Sequence, residues 1–312
     1  MKLLLLPAVF ALGSATHSGR SSARQLATFP GFAENIAVRH SGDILVTSLT
    51  TSSIQLLDPR VSNVTVALPP IPGANGISGI VEVEKDFFAV AAGIWNTTER
   101  RETNASVWMI DFRQSPSTRP ALKKVVNIPE TTALNSFTSI PGSSIVLGSD
   151  SNVGAIYSID IGRRTYSIVN QDNALAPPGP APSLGVNGIK VYGSYLYFAN
   201  SGTGVLGRFP ISRTGLATGP VQPVSQFNGS TYSGPDDFVI DEDGTVWISF
   251  HPNTIYKVDK DGKQEAVVSG DQILDPTSVT LGRGGEKGKR VLYASVNLLG
   301  EQIIGGVAEI EI

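Results

Sequence analysis

Apolar and polar residues alternate along this chain in short runs punctuated by Gly, Asp and Asn. The clearest instance is residues 234–262, GPDDFVIDEDGTVWISFHPNTIYKVDKDG. A polar lead-in, Pro235-Asp236-Asp237, precedes an alternating run through Phe238 and Ile240. An Asp243-Gly244 turn then leads into a second run, Val246 to Phe250, and a third follows from Ile255 to Val258. A period of two sends alternate side chains to opposite faces of a strand, and Asp-Gly supplies the backbone freedom that a tight hairpin needs. The unit therefore predicts a three-stranded antiparallel meander. One such sheet cannot stand alone, so copies elsewhere predict radial packing into a propeller.

Copies recur. Residues 33–59 repeat the unit, with Glu34-Asn35 in place of the Asp pair, a Gly42-Asp43 turn, and strands at Ile44 to Thr47 and Ile54 to Leu57. Others begin at Asn75-Gly76-Ile77, Leu134-Asn135-Ser136-Phe137, Val186-Asn187-Gly188-Ile189 and Asp275-Pro276-Thr277-Ser278. The lead-in residues Asn35, Asn75, Asn135, Asn187, Asp236 and Asp275 are 40, 60, 52, 49 and 39 residues apart. That spacing suits a four-stranded blade of roughly 40 to 50 residues with variable insertions. The expected fold is all-β, a six-bladed β-propeller with four-stranded antiparallel blades forming a single domain over residues 19–312. The run Arg24 to Phe29 is expected to pair with the last blade and close the ring. A β-sandwich is the competing arrangement, but it does not account for six units with one kind of lead-in.

In a propeller the innermost strand of each blade lines the central channel, so the residues just before it stand at one mouth. Glu34, Asn35, Asn75, Asn135, Asn187, Asp236, Asp237 and Asp275 are therefore expected to converge on an axial pocket. Singly, each Asn or Asp equally suits the capping of a turn into a strand. As a set they predict a ligand site. Trp95, Phe137 and Phe238 lie in or beside these segments and are candidates for apolar walls, with inter-blade core as the alternative for the two phenylalanines. His251, after the second run of the fifth unit, is expected to lie away from the axis, and His40 and His17 sit in a turn and near the amino terminus. Without cysteine or a Gly-x-Ser-x-Gly elbow, a nucleophilic triad is not expected. Residues 282–290, GRGGEKGKR, lack the spacing of a phosphate loop and read as a solvated hairpin connection.

Composition narrows the picture further. With 33 Gly, 20 Pro and 16% charged residues, the chain of 312 residues suits short strands and tight turns rather than long helices. A formal charge of −3 gives no case for nucleic acid as a partner. Lys2, the apolar run Leu3 to Leu12 and the small residues Gly13-Ser14-Ala15 predict a signal peptide over residues 1–18. Sequons at Asn63, Asn96, Asn104 and Asn228 agree with N-glycosylation and passage through the secretory pathway. No second long apolar run follows, so no membrane span is expected, and without cysteine the fold must be held by its core. The oligomeric state is left open.

Glu34, Asn135-Ser136-Phe137, Asn187-Gly188-Ile189 and Pro235-Asp236-Asp237 resemble the four pocket motifs of the regucalcin/gluconolactonase-type six-bladed propellers. That resemblance implies a calcium ion held by Glu34, Asn135, Asn187 and Asp236, able to serve a lactonase or esterase. Ser136 stands where glycine is usual in that pattern, and Asp237 where glycine often follows. A wider resemblance runs through ENIAVRHSGDILVTSLTTSSIQLLDP, SVWMIDFR, IPETTALNSFTSIPGSSIVLGSDSNVGAIYSIDI, LGVNGIKVYGSYLYFANSG and TGLATGPV. These runs are similar to a group of secreted fungal propellers that includes the glycosylated hetero-Diels-Alderases of tropolone sesquiterpenoid biosynthesis. That resemblance implies small hydrophobic substrates and no cofactor: a tropolone-derived o-quinone methide is joined by (4+2) cycloaddition to a macrocyclic sesquiterpene alkene such as humulene. Glu34, Asp236 and Asp237 are then the candidate proton donors and acceptors, and Asn35, Asn75, Asn135, Asn187, Trp95 and Phe137 the candidate substrate-binding residues. A non-catalytic secreted binding propeller is the third reading.

Overall fold

The computed structural model describes residues 21–68, 70–113, 120–230, 233–283 and 290–312. The expected signal segment, His17 and positions 284–289 of the 282–290 connection lie outside the described residues.

Six four-stranded antiparallel sheets form the fold. The first contains β2 (Ala33–Val38), β3 (Ile44–Ser48), β4 (Gln55–Asp58) and β5 (Asn63–Val66); the second β6 (Gly76–Glu84), β7 (Phe87–Asn96), β8 (Arg101–Asp111) and β9 (Ala121–Asn127). The third contains β10 (Leu134–Ser139), β11 (Ile145–Asp150), β12 (Ala155–Asp160) and β13 (Thr165–Asn170); the fourth β14 (Val186–Tyr192), β15 (Tyr195–Asn200), β16 (Val205–Pro210) and β17 (Gln222–Gln226). The fifth is β18 (Pro235–Ile240), β19 (Val246–Phe250), β20 (Thr254–Val258) and β21 (Gln264–Ser269). In the sixth, β22 (Ser278–Leu281), β23 (Val291–Leu298) and β24 (Ile304–Glu311) are completed by β1 (Ala23–Pro30), which pairs antiparallel with β24. The expected ring closure is thus present, and Leu26 and Phe29 of β1 are buried in the process.

The core lies between neighbouring sheets. Leu45 and Ile54 of the first unit, for example, pack with Ile77, Phe88 and Val90 of the second. The outer strands contribute little to it; β5 and β9 are mostly exposed or half-buried, so they carry no strong alternation.

Five of the six innermost strands slip register by one residue near their start, between Ala33 and Ile36, Ile77 and Ile80, Leu134 and Phe137, Val186 and Ile189, and Pro235 and Phe238. Each slip sets two residues against one on the next strand, which is a β-bulge and re-aims the side chains it carries. The bulged pairs are Glu34-Asn35, Ser78-Gly79, Asn135-Ser136, Asn187-Gly188 and Asp236-Asp237. In the second sheet the pair that matches the others by register is therefore Ser78-Gly79, not the expected Asn75. The sixth strand, β22, keeps unbroken register.

Hydroxyl groups beside the bulges tie each sheet to the next. Thr47 Oγ1 donates to the Ser78 carbonyl (2.6 Å), Ser78 Oγ to Leu134 (2.5 Å) and Ser149 Oγ to Asn187 (2.6 Å). Ser201 Oγ donates to Pro235 (2.7 Å), Ser249 Oγ lies between the carbonyls of Asp237 (2.7 Å) and Thr277 (2.9 Å), and Ser295 Oγ returns to Glu34 (2.7 Å). The carbonyls at the five slips thereby gain a hydroxyl donor, and Thr277 O accepts from the Asp237 N–H as well (3.0 Å).

Candidate functional site

A cavity of about 410 Å³ opens at the end of the channel where the innermost strands begin. Phe32, Leu49, Trp95, Ala133, Leu184 and Leu299 give it apolar walls, and Glu34, Asn135, Asn187, Asp236, His251 and Asp275 form its principal polar cluster. Of the residues expected at the axis, Glu34, Trp95, Asn135, Asn187, Asp236 and Asp275 meet here.

Asn35, Asn75, Asp237 and Phe137 do not line this cavity, which corrects their expected placement. The bulge separates Asp237 from Asp236. Asp237 lines a second cavity of about 340 Å³ with Phe137 and Lys190. There it accepts hydrogen bonds from Lys190 Nζ (2.5 Å), Ser136 Oγ (3.3 Å) and Ser278 Oγ (3.2 Å). Phe137 and Phe238 are buried among inter-blade side chains. Asn35 is buried one bulge position beyond Glu34, its backbone N–H donating to Thr47 Oγ1. Asn75 precedes β6 and clamps the backbone of Trp95: its Oδ1 accepts from Trp95 N (2.7 Å) and its Nδ2 donates to Trp95 O (3.0 Å).

His251 is the residue the sequence reading misplaced. It lines the cavity, with Nε2 2.6 Å from Asp236 Oδ2 and Nδ1 2.7 Å from Asp275 Oδ1. The reason is elementary hairpin geometry. Because β18 and β19 run antiparallel, with Pro235 opposite Phe250, the residue that ends the second strand comes back beside the start of the first. Asp275 is anchored beside it by its own N–H, which donates to the carbonyl of the next residue, Pro252 (2.7 Å), and it holds a left-handed φ of 41°. A non-glycine residue in that region costs conformational energy, and such costs concentrate at functional sites.

Charge in the cluster follows from these contacts. Burial alone pushes the His251 pKa down, but hydrogen bonds to Asp236 and Asp275 outweigh it and lift it to about 10, so the imidazole is a cation at neutral pH. Burial, and then repulsion from Asp236, push the Glu34 carboxyl well above the usual carboxylate range. Asp236 is also raised by burial, opposed by its bond to His251. Both shifts favour a retained proton, more strongly at Glu34, while the bond to His251 draws Asp236 toward its ionised form.

Three buried oxygens in the cluster have no hydrogen-bond partner: Asn135 Oδ1, Asn187 Oδ1 and Asp236 Oδ1. The orientation of Asn187 is fixed by its neighbour. Ser201 Oγ spends its proton on Pro235 O, so it must accept from Asn187 Nδ2 (3.1 Å), leaving Asn187 Oδ1 as the unmatched acceptor.

Behind Trp95 and Asn135 lies Glu102, a fully buried carboxyl that no sequence pattern singled out. Its Oε2 accepts from Leu134 N (3.0 Å), and its Oε1 lies where a side chain at Gly93 would begin. Burial, against the pull of the Leu134 N–H, pushes its pKa up to about 8.

The sequon residues Asn63, Asn96, Asn104 and Asn228 are all exposed. No helix among the described residues is long and apolar enough to cross a membrane.

Residues 149–297, from the end of β11 into β23, match the family model described as the SMP-30/Gluconolactonase/LRE-like region. Over 298 residues the chain is 26% identical to a protein from Phoma sp named "Putative hetero-Diels-Alderase", an alignment covering 85% of this chain and 83% of that one. It is 25% identical over 221 residues to "Putative hetero-Diels-Alderase asR5" of Sarocladium schorii, covering 63% of this chain and 54% of that protein. In fold it matches regucalcin, a calcium-binding protein of Agrobacterium tumefaciens, with a TM-score of 0.63 at 15% identity over 93% of this chain and 95% of that one. The chain is thus a six-bladed propeller similar to the SMP-30/gluconolactonase/LRE-like proteins, and in sequence, over most of its length, similar to proteins named as hetero-Diels-Alderases.

Proposed function

We propose that the protein is a hetero-Diels-Alderase of secondary metabolism, joining a tropolone-derived o-quinone methide to a macrocyclic sesquiterpene alkene such as humulene. The observation that carries this reading is the pairing, in one cavity, of apolar walls with the buried carboxyl of Glu34, whose pKa burial raises. Two relatives bearing that name support it.

The chemistry divides into two parts. Glu34 gives its proton to the hydroxyl of the tropolone precursor as the C–O bond breaks, releasing water; the ring hydroxyl returns a proton to Glu34, so no net proton is consumed. The resulting diene is electron-poor and short-lived in water. Its addition to an alkene develops little charge, so acceleration comes from holding both partners in a reactive geometry between Trp95, Leu49, Phe32 and Leu184, worth at most roughly 7 to 11 kcal/mol. The Asp236–His251–Asp275 chain draws Asp236 toward its ionised form, and negative charge there favours the proton on Glu34. Purified protein supplied with precursor and humulene is expected to raise the rate and sharpen the product ratio over the spontaneous reaction. Glu34→Gln is expected to slow the dehydration by about 10²-fold or more. Rates and ratios equal to the uncatalysed reaction would end this reading.

A second reading rests on the three unmatched oxygens. With Glu34 they make an all-oxygen set of the kind that hard cations such as calcium prefer. No group of three or more His, Asp or Glu residues placed to hold a metal occurs among the described residues, so a cation here would depend on the two asparagines. Glu34, Asn135, Asn187 and Asp236 would hold it, and when bound it would polarise a lactone carbonyl and acidify a water. Lactone hydrolysis lost on chelation and restored by calcium is its test. In either case we propose the secretory pathway as the protein's route, with glycans at the exposed sequons; peptide mapping of the secreted protein tests both.

A further inference from the structure

The second cavity, of about 340 Å³, is lined by all six innermost strands and shares no lining residue with the first. The bulge at Asp236-Asp237 stands between the two, with one carboxylate turned to each. Asp237 of β18 is held by Lys190 of β14, Ser136 of β10 and Ser278 of β22, so four sheets meet at one buried carboxylate. Most of the remaining wall is hydrocarbon. Ile36, Ile80 and Val279 are buried in it, whereas Val81, Val239 and Leu281 are only half-buried and present aliphatic carbon to the space.

The charged groups of this cavity are unequally committed. Asp237 Oδ1 accepts from Lys190 and Ser136, and its Oδ2 from Ser278. Glu82 Oε1 accepts from the Asp86 N–H (2.9 Å), and its Oε2 meets Arg283 Nη2 (2.6 Å). Every carboxylate oxygen here thus has a donor. The cations have donors to spare, because an ammonium carries three N–H groups and Lys190 uses one on Asp237, while a guanidinium carries five and Arg283 meets Glu82 through one nitrogen. The Lys190 side chain is only 24% exposed, so what fills the cavity is what its other N–H groups can reach. The Thr280 hydroxyl can serve as donor or acceptor. A complementary ligand therefore brings an anionic acceptor for the ammonium and an aliphatic body for the walls. We propose that this cavity is a second ligand site, taking a monocarboxylate with a short aliphatic chain, its head on Lys190 Nζ and its chain against Val81, Val239 and Leu281. The site is separate from the cavity assigned to the cycloaddition and stands whether or not that reading holds.

The probes are octanoate, octanamide and propionate, titrated into the full chain by calorimetry at neutral pH. Octanoate is expected to bind with a stoichiometry of about one, as a cavity of this size admits one such chain. Octanamide keeps the body and loses the charge, and propionate keeps the charge and loses most of the body, so each is expected to bind at least about tenfold more weakly. Lys190→Gln leaves a donor for Asp237 and removes the cation; in that variant, checked for native circular dichroism, octanoate is expected to weaken about tenfold. Should it fail to fold, Arg283→Gln serves, since that side chain is 46% exposed. It leaves Glu82 without its counter-charge, and octanoate is expected to weaken about threefold. Octanoate lodged in the first cavity would answer to neither substitution. The proposal is overturned if octanoate does not bind, if either analogue binds as tightly, or if the folded variants bind octanoate as the wild type does.

Discussion

Ser136 Oγ donates to Asp237 Oδ1 across 3.3 Å, joining the third sheet to the fifth. These are the two positions at which the regucalcin-type motifs usually carry glycine, so the two departures from that pattern are partners of one another. Gly188 makes room for them. A Cβ there would lie 2.6 Å from Asp237 Oδ1 and 2.7 Å from Asp236 O. Gly188→Ala is expected to destabilise the fold by about 1 to 3 kcal/mol, the usual cost of overpacking, as measured by urea denaturation. An unchanged midpoint would mean that the backbone at this bulge can yield.

Stability should fall as pH rises above the acid range. In the unfolded chain Glu102 ionises near 4.5, whereas in the fold it keeps its proton to about 8, so between those values the folded form binds one proton more. The contribution is complete below 4.5 and is lost progressively toward 8, by about 1.4 kcal/mol per pH unit per group. Glu34, raised in the same direction, adds to the slope. Glu102→Gln keeps an acceptor for Leu134 N–H and removes one titrating proton. Denaturation curves taken between pH 5 and pH 8 are expected to be less pH-dependent in that variant; identical slopes would refute the assignment.

His251 is expected to remain an imidazolium through neutral pH and to lose its proton only near 10, as followed by its ring nitrogen shifts in NMR. Asp236→Asn takes away one of the two carboxylates that hold the cation, so the midpoint is expected to move down toward the ordinary histidine range, with Asp275 still attached. A midpoint that does not move would place the cation's stabilisation elsewhere. For stability the sign matches that of the buried acids: the gain is full below 6.5 and is lost as pH rises through about 10.

The indole wall depends on a residue outside the cavity. Asn75→Ala deletes both hydrogen bonds to the Trp95 backbone, at a cost of about 1 to 3 kcal/mol. Loosening of the wall is expected to weaken binding of an apolar cavity ligand while Trp95 itself is still present. Tryptophan fluorescence read on a Trp108→Phe, Trp247→Phe background isolates the effect. Emission and ligand affinity equal to the parent's would show the clamp to be dispensable.

Closure of the ring rests on one strand, β1. Phe29 is 5% exposed in β1 and packs with Ala33, Ile36 and Val307. Phe29→Ala is expected to cost about 3 to 5 kcal/mol and to raise hydrogen exchange along β24 before other strands. Uniform exchange across the six sheets would count against a local role for β1.

Much of this architecture was legible because inner strands bury both faces and announce themselves. The run Val246 to Phe250 coincides with β19; the run Arg24 to Phe29 lies within β1, an outer strand with only Leu26 and Phe29 buried, and it was placed by the need to close the ring. The outer strands, such as β9 with Ala121, Lys123 and Asn127 exposed, are half in water and leave no comparable trace. At the site, Glu34, Asn135, Asn187 and Asp236 were found because they share one position in a repeating unit. Asn75 was misaligned with them because register, not residue type, defines that position, and the matching pair is Ser78-Gly79. His251 was missed because it belongs to the far end of a neighbouring strand. The signal available was its place immediately after a run that folds back on an Asp-rich lead-in. Glu102 had no signal at all, since a single glutamate gains meaning only from the glycine it covers.

The hydroxyl ties between successive sheets run the full circle, from Thr47 through Ser295 and back to Glu34. A circle pinned at each joint has no hinge line about which two halves could swing apart. Swinging two halves of the ring apart would break these ties, so admission of a bulky guest falls to the segments and side chains at the rim, the exposed Leu299 among them. Selection by size is then set at the doorway rather than by separation of the sheets.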